Sequence, residues 1–139
     1  MTHEMVTAPS GIAYPIWRFG YGTSLLLLHG FTGSHQAWQP LINRLPDGHQ
    51  VVTLDLPGHG YSSLPDAQSW AFASVLDDLA WIIESLLGGN ADVLGYSMGG
   101  RLALALADTH PWHVRSLIME SGSPGIANEQ ERRMRGIRR

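Results

Sequence analysis

The sequence predicts an α/β fold with a mostly parallel sheet flanked by helices. Short apolar runs typical of buried strands alternate along the chain with amphipathic stretches typical of helices. The connections between them are short, which favours right-handed crossovers between parallel strands. Within residues 91–100, strand character changes directly to helix character around Ser97.

The first part of the chain predicts three strands and a helix. Residues 12–19 form a short apolar run that predicts an early strand, and residues 24–28 predict a fully buried one. Residues 35–45 predict a helix, and residues 50–54 predict another buried strand. One face of that helix carries the apolar side chains Trp38, Leu41, Ile42 and Leu45.

Residues 69–87 predict the clearest helix of the chain. Its apolar residues recur at helical spacing, at Leu76, Leu79, Ala80, Ile83, Leu86 and Leu87. The opposite, solvent face is predicted to carry Asp77, Asp78, Glu84 and Ser85. Gly88 and Gly89 end the helix. A strand before Ser97, a helix after it and a strand over residues 114–119 complete the pattern, and the last strand is predicted at or near an open edge.

Composition narrows the class of protein. The 139 residues suit one domain with a core, and the absence of cysteine excludes disulfides and thiolate metal sites. The seven histidines have no metal-ligand spacing, so no metal or other cofactor is expected. No signal peptide or membrane-length apolar run is present, which predicts a cytoplasmic enzyme without a membrane partner.

Positive charge is concentrated at the C-terminal end of the sequence. Lysine is absent, and five of the nine positive residues are arginines within residues 132–139. A basic tail can indicate nucleic-acid binding. This tail has no interleaved aromatic residues and the body has no basic patch, so a solvated, arginine-rich helix is favoured over a nucleic-acid partner.

The segment Gly95-Tyr96-Ser97-Met98-Gly99 has the G-x-S-x-G pattern of a nucleophile elbow. The pattern alone is weak, but here a strand precedes it and a helix follows it, as the elbow requires. The serine must sit on a sharp turn with its hydroxyl above the sheet, and the glycines keep Cβ atoms out of the crowded turn. We therefore predict Ser97 as the catalytic nucleophile.

The partners that such a serine needs are not evident in the sequence. In this arrangement an acid and then a histidine follow the serine along the chain. Asp108, His110 and His113 follow Ser97, but they lie beyond the helix, roughly 15 Å or more from the hydroxyl. The chain therefore predicts the nucleophile part of a catalytic site without an evident base.

Two loops at the carboxyl ends of strands are predicted to surround the serine. The loop His29-Gly30-Phe31 follows a buried strand, so we assign the oxyanion-hole N–H groups to Phe31 and Met98. The loop that begins at Asp55 is predicted to be structural. His35 and His59 are predicted to be surface groups or supporting groups behind the site.

Arg101 lies one helical turn after Ser97, on the same side of the helix. It could clamp a substrate carboxylate with two hydrogen bonds. It could equally be an ordinary helix arginine that pairs with a surface acid. Spacing alone leaves these two roles open.

Three segments together resemble one family: Leu28–Ser34, Gly95–Arg101 and Glu120–Ile126. The chain resembles 2-succinyl-6-hydroxy-2,4-cyclohexadiene-1-carboxylate synthases, which are α/β-hydrolase-fold lyases of the menaquinone pathway. The resemblance covers nearly the whole chain but only about the first half of such an enzyme. It implies that residues 1–127 form the N-terminal part of the α/β-hydrolase core and that residues 128–139 begin a truncated cap helix.

The resemblance implies elimination of pyruvate from a succinyl-enolpyruvyl-cyclohexene carboxylate, with no cofactor. It implies that Tyr96, Arg101 and Arg135 bind this small polycarboxylate substrate and that the family's acid and histidine are missing from the chain. Two alternatives remain. One is a serine carboxylesterase-type hydrolase of the same fold, and the other is a non-catalytic split fragment. For the lyase and for both alternatives, we expect little activity from this chain alone, and either self-association or pairing with a missing C-terminal half.

Overall fold

A computed structural model describes residues 1–62 and 71–121. The helix predicted near the C-terminus, residues 128–139, and the substrate-binding role predicted for Arg135 lie outside the described residues.

A six-stranded sheet in the order β1-β2-β4-β3-β5-β6 forms the centre of the molecule. The strands are β1 (Thr2–Thr7), β2 (Ala13–Phe19), β3 (Gly22–Leu28), β4 (Gly48–Leu54), β5 (Ala91–Tyr96) and β6 (Val114–Glu120). The four strands β4, β3, β5 and β6 are parallel, whereas β1 and β2 are antiparallel to their neighbours. The predicted mostly parallel α/β class is therefore confirmed, with an additional first strand that the sequence did not indicate.

In the described part of the chain, three α-helices accompany the sheet: α1 (Gln39–Ile42), α2 (Phe72–Leu86) and α3 (Met98–Thr109). The helix predicted over residues 35–45 is wrong as a single element. Residues His35–Trp38 form a 3₁₀ turn, and α1 is a separate one-turn helix with a proline in its first turn. Pro40 has no N–H to bond to the carbonyl of Gln36, so a continuous α-helix cannot run through it.

The two faces of the sheet carry separate apolar clusters. The larger cluster lies between one face of the sheet and the helices α2 and α3. The sheet and both helices contribute fully buried residues to it, such as Leu26, Leu79 and Leu102. On the other face, Leu25, Leu27 and Val51 pack against Trp38 of the 3₁₀ turn. Both faces of the central strands are covered, which explains why β3 reads as a continuous run of leucines.

Asp78 contradicts its predicted position on the solvent face of α2. Its carboxylate is buried, with a side-chain exposure of only 1%. It accepts hydrogen bonds from the Tyr14 hydroxyl at 2.8 Å, the Ser10 backbone N–H at 3.2 Å and the Ser10 hydroxyl. Burial and Asp78 together raise the pKa of Tyr14, which keeps the phenol protonated as the donor. A buried carboxylate is tolerated here because three donors replace its water.

β6 lies at one edge of the sheet, as the sequence predicted. Among the described residues it pairs only with β5, from Ala91 opposite Val114 to Tyr96 opposite Glu120. Ile118 is 52% exposed on this strand. Its free edge therefore presents backbone donors and acceptors beside an apolar side chain.

Candidate active site

Ser97 sits at the turn between β5 and α3 in a backbone conformation that few residues adopt. Its φ and ψ angles are 54° and −111°, and it is one of three described non-glycine residues with positive φ. Its N–H donates to the Glu120 carbonyl at 2.9 Å, and its carbonyl accepts from the Arg101 N–H at 3.1 Å. The hydrogen bonds to Glu120 and Arg101 therefore hold Ser97 in a strained backbone conformation. Such strain is typical of functional positions.

The two glycines of the motif are required by close backbone contacts. A Cβ on Gly95 would overlap the Gly99 carbonyl and lie 2.5 Å from the Gly100 nitrogen. A Cβ on Gly99 would overlap the Leu28 carbonyl oxygen and lie 2.6 Å from the His29 carbonyl oxygen. The turn therefore folds directly onto the end of β3, as the elbow interpretation predicts.

The loop after β3 fixes the direction of one predicted oxyanion donor. The Gly30 carbonyl accepts from the Gly33 N–H at 3.0 Å and from His29 Nδ1 at 2.8 Å. Because a trans peptide is planar, the N–H of Phe31 points away from that carbonyl and from the His29 ring. The second predicted donor, Met98, is the first residue of α3, where backbone N–H groups have no helical partner.

His29 holds two loops together in its neutral form. Its ring is buried, its Nδ1–H donates to Gly30, and its Nε2 accepts from the Leu56 N–H at 2.9 Å. The two partners fix the tautomer, since an acceptor must face the Leu56 donor. Burial lowers the pKa of His29 below its usual value. Both ring nitrogens are used, so His29 is not free to act as a base for Ser97.

Asp55 has the structural role predicted for it. Its buried carboxylate accepts from the backbone N–H of His35 at 2.7 Å, from His35 Nδ1 at 2.8 Å and from the Tyr61 N–H at 2.9 Å. A Cβ on Gly60 would lie within 2.7 Å of both carboxylate oxygens. His35 is also stacked on Trp17, with ring centroids 3.5 Å apart. His35 is thus a supporting group behind the site.

His59 lies near the predicted oxyanion loop. Its Nδ1 donates to the Pro57 carbonyl at 3.0 Å, and its ring meets the edge of Phe31 with centroids 5.8 Å apart. Phe31 itself is 73% exposed. The two residues therefore join the loop after β3 to the loop after β4.

The predicted substrate residues do not share one cavity. Tyr96 is 44% exposed and lines a cavity beside the elbow. Arg101 is exposed and lines a shallow cavity formed with Phe72, Leu104 and Asp108, between α2 and α3. The backbone places Arg101 one turn after Ser97, as predicted. No hydrogen bond or ion pair among the described residues uses its guanidinium.

The acid and histidines downstream of Ser97 lie at the far end of α3, as the sequence predicted. His110 pairs with Asp77 at 3.1 Å, and His113 donates to the Gly89 carbonyl at 2.8 Å. These partners belong to α2 and the turn after it. Neither histidine is a candidate base for the serine.

Glu120 is a residue near the elbow to which sequence reasoning gave no role. It ends β6 directly opposite Tyr96, and its carbonyl binds the Ser97 N–H. Its side chain lines the same cavity as Tyr96 and His29. The available signal was its position: it is a carboxylate that follows the serine in the chain, at the carboxyl end of the next parallel strand.

No helix in residues 1–62 or 71–121 is long and apolar enough to cross a bilayer. The same ranges hold no group of three histidine or acidic side chains arranged to bind a metal ion.

Comparisons with known proteins agree with this geometry. Residues 23–138 match a family model described as the alpha/beta hydrolase fold. A 2-succinyl-6-hydroxy-2,4-cyclohexadiene-1-carboxylate synthase from Enterobacter sp. (strain 638) is 38% identical over 80% of this chain and 42% of its own length. The predicted resemblance to these synthases is therefore confirmed.

One further curated relative and one solved structure share this fold. A 2-(acetamidomethylene)succinate hydrolase from Mesorhizobium japonicum is 33% identical over 79% of this chain and 39% of its own length. The crystal structure of a hydrolase from Pseudomonas aeruginosa PA01 superposes with a TM-score of 0.85 at 21% identity, over 96% of this chain and 51% of that one. The chain spans about half the length, or less, of the curated relatives it matches.

Proposed function

Because the chain belongs to the alpha/beta hydrolase fold family, we propose that Ser97 is the nucleophile of an acid–base site at the end of β5. The observation that carries this proposal is the strained Ser97 turn, packed by Gly95 and Gly99 against the end of β3. Such a turn holds the hydroxyl above the sheet edge, where a substrate can reach it.

We assign the oxyanion-hole donors to the backbone N–H groups of Phe31 and Met98. The Gly30 carbonyl is held by two hydrogen bonds on its far side, which supports an outward-facing Phe31 N–H. Met98 begins α3, so its N–H adds the positive end of the helix dipole. Two such donors stabilise negative charge that develops on a substrate oxygen.

For the complete protein we propose the lyase reaction of the synthases, namely elimination of pyruvate from a cyclohexene carboxylate. A histidine base, which the described residues do not place at Ser97, would activate the serine to remove a ring proton. The C–H electron pair becomes enolate-like charge that the oxyanion donors stabilise, and it then forms the new ring double bond. The carbon–oxygen bond breaks with its electron pair on the departing enolpyruvate, which takes up a proton to become pyruvate. The 38% identity to the Enterobacter enzyme supports this choice of reaction.

We propose Tyr96, Arg101 and Arg135 as substrate-binding residues. Tyr96 directly precedes the nucleophile and is partly exposed. Arg101 is an exposed cation one turn beyond it, and a substrate with several carboxylates would give it a partner. The names of both curated relatives described above contain a succinyl or succinate group, which is consistent with a carboxylate-bearing substrate.

A hydrolase of the same fold is the second candidate, supported by the 33% identity to the succinate-derivative hydrolase. It would use the same serine and the same oxyanion donors. The two candidates therefore differ in the substrate they accept and not in the geometry of the elbow.

The test is a chimera in which this chain replaces the matching part of the Enterobacter synthase. We expect pyruvate release from the menaquinone intermediate, and loss of that release in the Ser97→Ala chimera. Turnover of a p-nitrophenyl ester alone would reject the lyase and favour the hydrolase. This chain alone is expected to show little activity, because no base faces Ser97 in the described residues; rapid turnover that Ser97→Ala abolishes would contradict this.

Arg101→Ala in the same chimera tests the proposed clamp. Loss of a charge-assisted hydrogen bond is expected to lower kcat/KM for the polycarboxylate by about 10- to 150-fold, which corresponds to about 1.5–3 kcal/mol. Turnover of an uncharged ester should barely change. Equal losses on both substrates would mean that Arg101 is structural.

A further inference from the structure

A cavity lies at the amino ends of β3 and β4, at the opposite end of the sheet from Ser97. It has a volume of about 380 Å³, which is within the range of small-molecule sites. β3 runs from Gly22, which pairs with the lining residue Gly48, to Leu28, which contacts the elbow. That length of strand is roughly 20 Å. The cavity is therefore separate from the candidate active site.

The floor of this cavity is one side of the smaller apolar cluster. Phe19, Ile42, Leu45 and Val51 line the cavity, and all four belong to that cluster or pack against it. The helix α1 has only one turn and ends at Ile42, which leaves this side of the cluster open to the cavity. The wall is also open at Gly48, where a Cβ would meet no atom within 4 Å. An apolar ligand group can therefore pack on the floor.

The rim of the cavity carries the carboxylate of Asp47, and no arginine is among the residues that line it. Asp47 is exposed, and no hydrogen bond or ion pair found among the described residues uses its carboxylate. Phe19 and Tyr21 line the same cavity, and the faces of aromatic rings attract cations. His49 also lines it, but its Nδ1 atom is buried and inaccessible to a ligand. The cavity therefore combines an apolar floor with a negatively charged rim.

We propose that this cavity binds an organic cation in which a short chain joins a protonated amine to an aromatic ring. The ring packs on the apolar floor, and the ammonium donates a hydrogen bond to the Asp47 carboxylate. An anionic ligand is disfavoured because Asp47 repels it. A small ammonium without a ring is disfavoured because it gains no apolar contact and stays hydrated. This site goes beyond the chemistry proposed at Ser97 and does not depend on it.

The test uses the 139-residue chain and three probes at about pH 7, where alkyl ammonium groups are charged. The probe 2-phenylethylamine has the charge and the ring, 2-phenylethanol has nearly the same shape without the charge, and methylamine has the charge without the ring. We expect 2-phenylethylamine to shift the NMR signals of the Gly20 and Gly48 backbone amides. It should bind about threefold more tightly than 2-phenylethanol, since an exposed ion pair contributes modestly.

Methylamine should leave the Gly20 and Gly48 signals unchanged at the same concentration. Three results would each overturn the proposal. They are equal binding of 2-phenylethylamine and 2-phenylethanol, binding of methylamine as tight as that of 2-phenylethylamine, and absence of a shift at both glycines with 2-phenylethylamine.

Two variants test the ion pair without changing the size of a side chain. Asp47→Asn should bring the affinity for 2-phenylethylamine close to that for 2-phenylethanol. Asp108→Asn makes the same change in net charge at an exposed position on α3, so it should leave the threefold preference intact. An equal effect of the two variants would show that Asp47 does not contact the ligand, and would overturn the proposal. Because the readout is binding, it is independent of whether Ser97 has catalytic activity.

Discussion

The elbow can form only if residue 99 has no Cβ atom. Helix propensity alone predicts that Gly99→Ala would stabilise α3 by about 1 kcal/mol. The new methyl would instead overlap the Leu28 carbonyl, and backbone at the end of a central strand cannot move aside cheaply. We expect Gly99→Ala to lower the free energy of unfolding by about 3 kcal/mol, measured by urea denaturation.

Gly30→Ala is the matched control, because its Cβ would first meet the ring of the partly exposed Tyr96 at 3.0 Å, with the Tyr96 carbonyl oxygen farther away at 3.3 Å. That ring can move, so the expected loss is about 1 kcal/mol or less. If Gly99→Ala were as stable as the parent chain, the close packing of the elbow on β3 would be wrong.

His29 links stability to pH through its lowered pKa. The unfolded chain takes up a proton near pH 6.5, whereas folded His29 resists it because the ring is buried. Stability from this group is therefore complete above about pH 6.5 and declines as the pH falls toward the pKa of the folded state. We expect the unfolding free energy to fall between pH 7.5 and 5.5, and His29→Gln to flatten this slope.

The control for that measurement is His3→Gln, since His3 is exposed on the edge strand β1. It should leave the slope unchanged. NMR of the histidine rings should also find that the pKa of His29 lies below 6.5, with the proton of the neutral ring on Nδ1. A His29 pKa at or above 6.5 would contradict the prediction.

At the scale of elements, sequence patterns predicted strands better than they predicted the partners of polar residues. The run of leucines located β3 because burial on both faces requires consecutive apolar residues. The glycine–serine pattern located the elbow because steric crowding in the turn requires glycine at fixed positions. The helical spacing of apolar residues in α2 placed Asp78 on the solvent face. That spacing carries no information about Ser10 and Tyr14, which are far away in the sequence but donate hydrogen bonds to Asp78. Glu120 was missed for the same reason, since its neighbour Tyr96 becomes adjacent only through sheet register.

The contact between β2 and α2 can be tested at the Tyr14–Asp78 hydrogen bond. Tyr14→Phe removes one of the three hydrogen-bond donors that replace water around the buried Asp78 carboxylate. We expect a loss of about 1–3 kcal/mol in unfolding free energy. Tyr21→Phe, at a tyrosine that is 92% exposed, should change stability by less than about 0.5 kcal/mol. Similar values for the two variants would show that the Asp78 network contributes no net stability.

At the scale of the whole molecule, the sheet has two edges of different character. β1 is antiparallel to its neighbour, and β6 is parallel and carries the exposed Ile118. We expect this chain to self-associate through β6, or to pair there with the remaining part of such a fold, because the outer edge of β6 has no strand partner in residues 1–62 and 71–121 and can extend a sheet. Light scattering at several concentrations measures this association.

Ile118→Lys should reduce the association, because a charged edge residue opposes further pairing. Met5→Lys is the matched control, since Met5 is 55% exposed on the opposite edge strand. A size that is independent of concentration, or an equal effect of both substitutions, would contradict association through β6.

The register of β3 also determines when the site can become complete during folding. Its pairing with β4 joins Gly22 to Gly48, whereas its pairing with β5 joins Leu25 to Asp92. The second pairing closes a much longer loop, so we expect β1–β4 and β5–β6 to assemble as two subassemblies that dock slowly. Phe31 belongs to one and Met98 to the other. Pulsed hydrogen exchange should therefore show β3–β4 amides protected before the β3–β5 amides, with the two proposed oxyanion donors meeting only at the last step.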